Sequence, residues 1–578
     1  MKPGPRRAAV AAWRLCAAAA LAPIAVALSV PAAATSTLSL CPGATPAHAV
    51  LAKEYHEVDG GSVILRLDAQ PLQPGCASLV LPPQTSDVAD IMLLPPAAAA
   101  DAAAPLALQG NRDARGGFVI AQIEGGNDRA EPAAPLIAPG RNLVPLWTAR
   151  PFGVEERAVV AVDDGRGAIT LSCRPGGKPA GVTIAYPAAL PPIGDLTLVV
   201  AAQGDAGFVI AAPDDAARRS DSAITLLTLP PSTAIERAQA ALPQALERGS
   251  ALSWSVLCPV QGGRLRLAHL SLEAPPRKDG AAPLRSAWAW QPAVWRDRPG
   301  ALLARLSRLG IARVFISVTM ANDQSVATAP ALAAFIKAAA ARDIAVWAVE
   351  GDPYAVLPSE REKFRTRAGA LAAFNQAEPA DRRLSGVQFD IEPYLVPGYA
   401  LAPDQWIAAY LDTLALLGAA AQMPVEAAIP FWFPLDRWGD RLAGVAGSVA
   451  LMDYRTRTDD IERLAAPVLA WGAVHRRAVH IGLEFGPLGT EERQVFRRAP
   501  RGQLWRVALG DREALVLLHA PAENPAGAAY ALASRREIAE NGLSFRGREA
   551  VLSELLPLLT RDFAPWPSFA GIALHGLF

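Results

Sequence analysis

Five cysteines and seven histidines in 578 residues leave little material for a metal site. No C-x-x-C pair and no cluster of histidines occurs, which argues against a structural zinc. No G-x-S-x-G elbow and no His/Asp metal cluster occurs either, so a serine esterase or a metal-dependent deacetylase has no support. No cofactor is expected. An excess of one charge is also missing: 55 basic residues balance 55 acidic ones. Neither a nucleic-acid partner nor an anionic membrane surface is favoured by such a balance. At 51% hydrophobic and 19% charged residues, the composition is that of packed domains and not of a disordered chain. The length exceeds what one core supports and suggests about three domains.

Long apolar runs are scarce except at the N-terminus. Lys2, Arg6, Arg7 and Arg14 precede an apolar stretch from Leu15 to Val30, and Pro31-Ala32-Ala33-Ala34 offers an A-x-A cleavage site. Residues 1–34 therefore read as an export signal, too short for a comfortable membrane span. The mature chain is expected to begin near Thr35, in the periplasm or outside the cell, with no membrane span after cleavage. Four cysteines would remain: Cys41, Cys76, Cys173 and Cys258. An even count in an exported protein suggests two disulfides. Sequence order favours Cys41–Cys76 and Cys173–Cys258, although three connectivities are open.

Two composition regimes follow. Up to Ala274 short β-like runs, such as Ser62–Leu67, Phe118–Ala121, Ala158–Val162 and Leu196–Val200, are broken by Gly, Pro, Asp and Asn. The spacing predicts all-β sandwich or jelly-roll modules, one over 35–178 and a second over 179–274, with a helix over Ala234–Arg248. Residues 275–283 form a Pro/Gly-rich linker. From 284 to 578 apolar strand-like runs alternate with Ala/Leu-rich helical runs, which predicts a C-terminal (β/α)8 TIM barrel. Its strands centre on Ala287–Trp290, Val314–Ser317, Ala345–Ala348, Gly386–Glu392, Glu426–Ile429, Ala450–Asp453, Val479–Leu483 and Gly571–Leu574. An insertion of about 487–546 carries a hairpin-like segment, Leu504–His519.

The fourth of these runs, Ser385-Gly386-Val387-Gln388-Phe389-Asp390-Ile391-Glu392-Pro393-Tyr394, is the most informative. Alternation along a strand puts Gln388, Asp390 and Glu392 on one face. Carboxylates on a buried strand are costly to desolvate unless they have a use, and Pro393 would place Glu392 at the strand's C-terminal tip. In such barrels that end carries the chemistry. Polar and aromatic residues gather at the same ends of the other strands. They are Trp288 and Trp290, Glu350, Asp352 and Tyr354, Tyr394, Trp432, Asp453, Tyr454 and Arg455, Glu484, and His575. Ten of the 13 tryptophans lie after the linker, and flat indoles cover the apolar face of a sugar ring well. A cleft with acids on its floor and Trp on its walls predicts a polysaccharide or oligosaccharide ligand. Trp347 and Trp471 read as core.

Gly386 to Glu392 resembles the fourth-strand motif DGxDxDxE of family 18 glycoside hydrolases, the chitinase-like barrels, and Met452-Asp453-Tyr454 resembles their sixth-strand M-x-Y-D. The resemblance implies that Glu392 is the general acid and that Asp390 and Tyr454 hold a substrate acetamido group acting as internal nucleophile. Ser385 and Gln388 stand where the family has its first two aspartates, and Arg455 where it has its sixth-strand aspartate. A second resemblance, to retaining glycosidase barrels with an acid on strand four and a nucleophile on strand seven, implies Glu392 with Glu484 instead. The expected function is that of an exported glycoside hydrolase. The rival is a non-catalytic glycan-binding scaffold with a degenerate barrel, and a cell-envelope protein partner is compatible with either.

Overall fold

A computed structural model describes residues 135–578 apart from short stretches at 147, 154–156, 164–166, 214–222, 244–245, 247–250, 277–280, 396–402, 510–511 and 525–526, together with seven strands between 36 and 125. The C-terminal half holds a closed barrel of eight strands: Leu284–Ala289, Arg313–Ser317, Ala345–Glu350, Gly386–Phe389, Val425–Pro430, Ser448–Met452, Ala478–Glu484 and Phe569–His575. Every neighbouring pair is parallel. Each expected strand centre falls on one of them. The strands are apolar on both faces because side chains fill the barrel on one side and helices cover the other. Helices such as Ala329–Ala340, Pro358–Ala377 and Thr458–His475 occupy the connections. Glycine closes the ring: Gly571 sits at φ +142, where a Cβ would lie 1.8 Å from the Leu284 carbonyl oxygen.

Before the barrel lies one sandwich of two five-stranded antiparallel sheets. The first orders Ser232–Ala241, Thr197–Gly204, Gly263–Glu273, Ala168–Cys173 and Ala158–Asp163. The second orders Ala223–Leu229, Phe208–Pro213, Ala251–Leu257, Ala180–Ala189 and Thr148–Gly153. Both sheets draw strands from each side of residue 178, so no module boundary falls there. Strand 168–173 pairs with 263–273 on one side and 158–163 on the other, and its Ile169, Leu171 and Cys173 lie in a buried cluster with residues of both sheets. The expected helix over 234–248 is instead an edge strand to Ala241, hydrogen-bonded to 197–204. Its Glu, Arg, Gln and Ala residues favour helix locally, and sheet pairing overrides them. The Cys173–Cys258 disulfide forms as expected, Cα atoms 5.7 Å apart, and joins the two sheets. The expected Cys41–Cys76 bridge lies outside the described residues. Cys173→Ala with Cys258→Ala should lower stability by about 2–4 kcal/mol; thermal melts with and without reductant measure it, and a melt insensitive to both would contradict it.

The insertion after the seventh strand is not self-contained. It contributes Glu491–Ala499, Gly502–Leu509, Arg512–Ala522 and Ala528–Ile538 to a seven-stranded sheet whose other members come from the N-terminal region. Val88–Leu93 pairs with Arg512–Ala522 at one side, and Leu106–Arg112, followed by Phe118–Gly125, pairs with Glu491–Ala499 at the other. The expected module over 35–178 is therefore divided between the sandwich, this sheet and a four-stranded sheet that includes Ser36–Pro42. The sandwich also packs on the barrel: Ile193 and Leu196 share a buried cluster with the barrel helices, and Arg141 pairs with Glu462 at 3.2 Å.

Candidate active site

The barrel interior is sealed by a polar network. The Trp288 indole N–H donates to Gln388 Oε1, and Gln388 Nε2 donates to Glu426 Oε1 at 2.8 Å. Glu426 Oε2 accepts from Ser448 at 2.8 Å and meets His480 Nδ1 at 2.8 Å and Arg313 at 3.2 Å. Burial would raise the Glu426 pKa, but His480, Arg313 and Ser448 overcome it and hold the carboxyl at about 2. Gln388 is thus a fully buried residue whose amide is committed to Trp288 and Glu426. Trp288 and Trp290 are only 5% and 6% exposed. They are mainly barrel filling, and broad sugar platforms need more open faces than this. Sequence reasoning missed Glu426, His480 and Arg313; a lone Glu within Val425–Pro430 was the available signal.

The fourth strand ends at Phe389, so Asp390 and Glu392 lie just past its tip and not within it. The Asp390 N–H still donates to the Glu350 carbonyl at 2.9 Å, which extends the third-to-fourth strand contact by one bond. Gly351 permits this approach, since a Cβ there would lie 1.9 Å from the Asp390 carbonyl oxygen. Beneath it the Arg367 guanidinium forks onto both Glu350 oxygens at 3.0 Å and reaches Asp323 at 3.0 Å. Arg367, on the helix Pro358–Ala377, was not singled out from the sequence because helix arginines are ordinarily solvated.

Around the strand tips, Asp390, Glu392, Glu484, His575, Tyr394 and Tyr454 form one electrostatically linked group. Glu392 is 5% exposed and accepts the Tyr394 hydroxyl. Burial pushes its pKa up to about 8; the Asp390 charge adds to this, while Tyr394 and His575 oppose it. Asp390 is pushed by burial only to about 6, with His575 pulling the other way. At neutral pH this makes Asp390 the charged member and Glu392 the protonated one. Asp390 Oδ1 is buried with no hydrogen-bond partner among the described residues.

Glu484 is fully engaged. Oε1 accepts the Phe485 N–H at 2.9 Å and the Gly486 N–H, and Oε2 lies 2.6 Å from His575 Nδ1. Trp290 donates its indole N–H to His575 Nε2 at 2.7 Å. Nε2 is therefore an acceptor and Nδ1 carries the proton toward Glu484. Burial lowers the His575 proton affinity and its acidic neighbours, Glu484 foremost, outweigh that effect, but the indole donor resists a second proton at Nε2. Tyr454 stacks on the imidazole at 6.0 Å between centroids and Trp288 meets it edge-on at 5.5 Å.

The other expected site residues have partners of their own. Asp352 accepts the Tyr354 N–H at 2.8 Å as a turn cap. Tyr354 is exposed, and Trp432 packs edge-on against Tyr394 at 4.9 Å. Asp453 is fully buried, and its charged neighbours are Arg455, Arg463 and Asp460, not the Asp390–Glu392 pair. Arg455 is a clamp: it takes both Glu491 oxygens at 2.7 and 2.8 Å and donates to the Tyr454 carbonyl at 2.8 Å. Among the described residues no group of three or more His, Cys, Asp or Glu is arranged to hold a metal.

No family model and no curated protein matches this chain. Among solved structures it is similar to family 29 carbohydrate-binding modules. One module matches at 12% identity and a TM-score of 0.17, over 22% of this chain and 78% of the module. A variant module complexed with mannohexaose matches at 12% identity and 0.18, over 22% and 81%. Likenesses at these scores carry no argument for fold or ligand here.

Proposed function

We propose that the C-terminal half is a (β/α)8 glycosidase-like barrel that cleaves a glycan. Glu392 is its general acid and Asp390 its paired carboxylate. The observation that carries this reading is the buried pair just past strand four, one member protonated and one charged near neutral pH, with an unpartnered Asp390 oxygen. In the reaction Glu392 gives its proton to the glycosidic oxygen as the C1–O bond breaks. The acetamido oxygen of the same sugar closes on C1, Asp390 stabilises the acetamido N–H, and Tyr454 donates to the acetamido group. Water then opens the ring and returns a proton to Glu392. Export to the periplasm or beyond is supported by the Cys173–Cys258 disulfide.

Glu484 is better suited to orienting His575 than to attacking C1, because three donors already occupy its oxygens. Glu484→Ala should therefore lower turnover of an acetamido-glycan without rescue by azide, and a thiazoline mimic of the cyclised intermediate should inhibit the wild type. Azide rescue without thiazoline inhibition would transfer the nucleophile role to Glu484. The glycan-binding scaffold reading is favoured by one feature, Gln388, which is neutral and committed to Glu426 where a proton-sharing carboxylate would stand. Binding that persists with no hydrolysis of any acetamido-glycan would select it.

A further inference from the structure

At the barrel mouth one hydrogen bond works against the charges around it. His575 ends the eighth strand, and its side chain is 18% exposed, so protons from solvent reach it. Nδ1 lies 2.6 Å from Glu484 Oε2, and Nε2 accepts the indole N–H of Trp290, just past the first strand, at 2.7 Å. An indole nitrogen only donates, so this second contact exists only while Nε2 is bare. The other groups facing the ring are Asp390 and Glu392 past the fourth strand, Tyr454 after the sixth, stacked on it, and Trp288 on the first, edge-on. The acids draw a second proton to the imidazole, and burial opposes them. With Glu392 protonated near neutral pH, that pull comes from Glu484 and Asp390. Electrostatics thus favour a proton at the one atom where the indole forbids it.

We infer that the Trp290–His575 contact is a pH-sensitive latch: a proton on His575 Nε2 sets two N–H groups against each other and releases the Trp290 indole. The proton comes from solvent, Nδ1–H stays on Glu484, and the N–H···N bond to Trp290 breaks. Trp290 is 6% exposed. Left in place its N–H would be buried and unpaired, which is costly, so the side chain turns outward to water. An outward indole offers its face to a sugar ring. The imidazolium left behind faces Asp390 and Glu392 and favours their charged forms. Acid therefore changes both the wall and the charge of the mouth through one atom. The latch regulates the site proposed above and rests on that reading for its purpose, but its measurement needs no substrate.

The test is nitrogen-15 magnetic resonance of the full chain carrying labelled histidine and tryptophan, titrated with acid. His575→Gln and Trp290→Phe identify the two signals by their loss. In the wild type His575 should start bare at Nε2 and protonated at Nδ1. As pH falls Nε2 should gain its proton, and the Trp290 indole signal should move with the same midpoint. Trp290→Phe keeps an aromatic filler and removes the donor, so His575 should then hold its proton about two- to tenfold more tightly, the worth of one net hydrogen bond. Asp390→Asn should shift the affinity the other way by removing a charge. Glu392→Gln should keep the latch, which separates it from the proposed reaction. Melts matching the wild type show that the variants are folded; if Trp290→Phe does not fold, the shared midpoint in the wild type decides. A His575 that stays neutral until the protein unfolds, an indole signal that moves at a different pH, or an unchanged proton affinity in folded Trp290→Phe would each overturn the latch.

Discussion

Glu392→Gln should reduce hydrolysis of an acetamido-glycan by about 10²–10⁴-fold while leaving binding intact, because the amide keeps the shape of the carboxyl and loses its transferable proton. The same substitution should change the pH dependence of stability. In the folded protein the Glu392 pKa rises from 4.5 to about 8. A carboxyl whose folded pKa lies above its unfolded one binds its proton longer in the native state. Its contribution is fully present below about pH 4.5 and is lost as pH rises through about 8. A tenfold change in proton affinity corresponds to about 1.4 kcal/mol, so the loss across this window is on the order of a few kcal/mol. Glutamine removes that titration. The melting temperature of the variant should therefore vary less between about pH 5 and pH 8, and the variant should be more stable than the wild type at the alkaline end. Denaturant titrations at several pH values measure this. Parallel pH profiles for the two proteins would mean that Glu392 is not held protonated, and an unchanged rate would remove it from the reaction.

The barrel was legible because its signal is local. Each strand is a short apolar run, each helix a longer one, and the spacing between them repeats; all eight strands fall where this pattern puts them. The carboxylate pair was legible for the same reason, since Asp390 and Glu392 interrupt such a run. What failed was pairing across distance. Nothing near Leu106 signals that its partner strand is Glu491–Ala499, because the ladder joins segments nearly 400 positions apart, as the Gln109–Glu491 hydrogen bond shows. The edge strand Ser232–Ala241 failed through propensity: exposed Glu and Arg among Ala are compatible with either structure, and only the neighbouring strand decides. Arg455 and Gln388 failed in another way. Both stand at positions that the family resemblance ties to catalysis, but their side chains are consumed by Glu491 and Glu426. Residue position on a strand limits which end a side chain reaches; its partner determines what remains available to substrate.

A chain beginning at Leu284 should not reach a soluble, folded state. In the full protein the insertion sheet is closed on both sides by N-terminal strands, Val88–Leu93 against Arg512–Ala522 and Leu106–Arg112 against Glu491–Ala499. Without them two strand edges expose unpaired backbone groups, one on the strand that carries Leu515, Val516 and Leu517, a ready template for aggregation. Ile193 and Leu196 would also leave the cluster they share with the barrel. Supplying residues 35–283 as a separate chain should restore solubility, since the missing strands then return. Within the full chain a smaller change probes the same junction. Glu491→Ala strips both carboxylate oxygens from Arg455, which is almost wholly buried, and leaving one member of a buried pair uncompensated costs about 3–5 kcal/mol. Glu491→Gln keeps one acceptor oxygen and should cost less. Because Arg455 also holds the Tyr454 carbonyl, the loss should be larger for turnover than the stability change alone accounts for, with binding of the thiazoline weakened in proportion. A soluble Leu284–Phe578 fragment that melts cooperatively at the temperature of the full protein would show that the N-terminal strands only decorate the barrel.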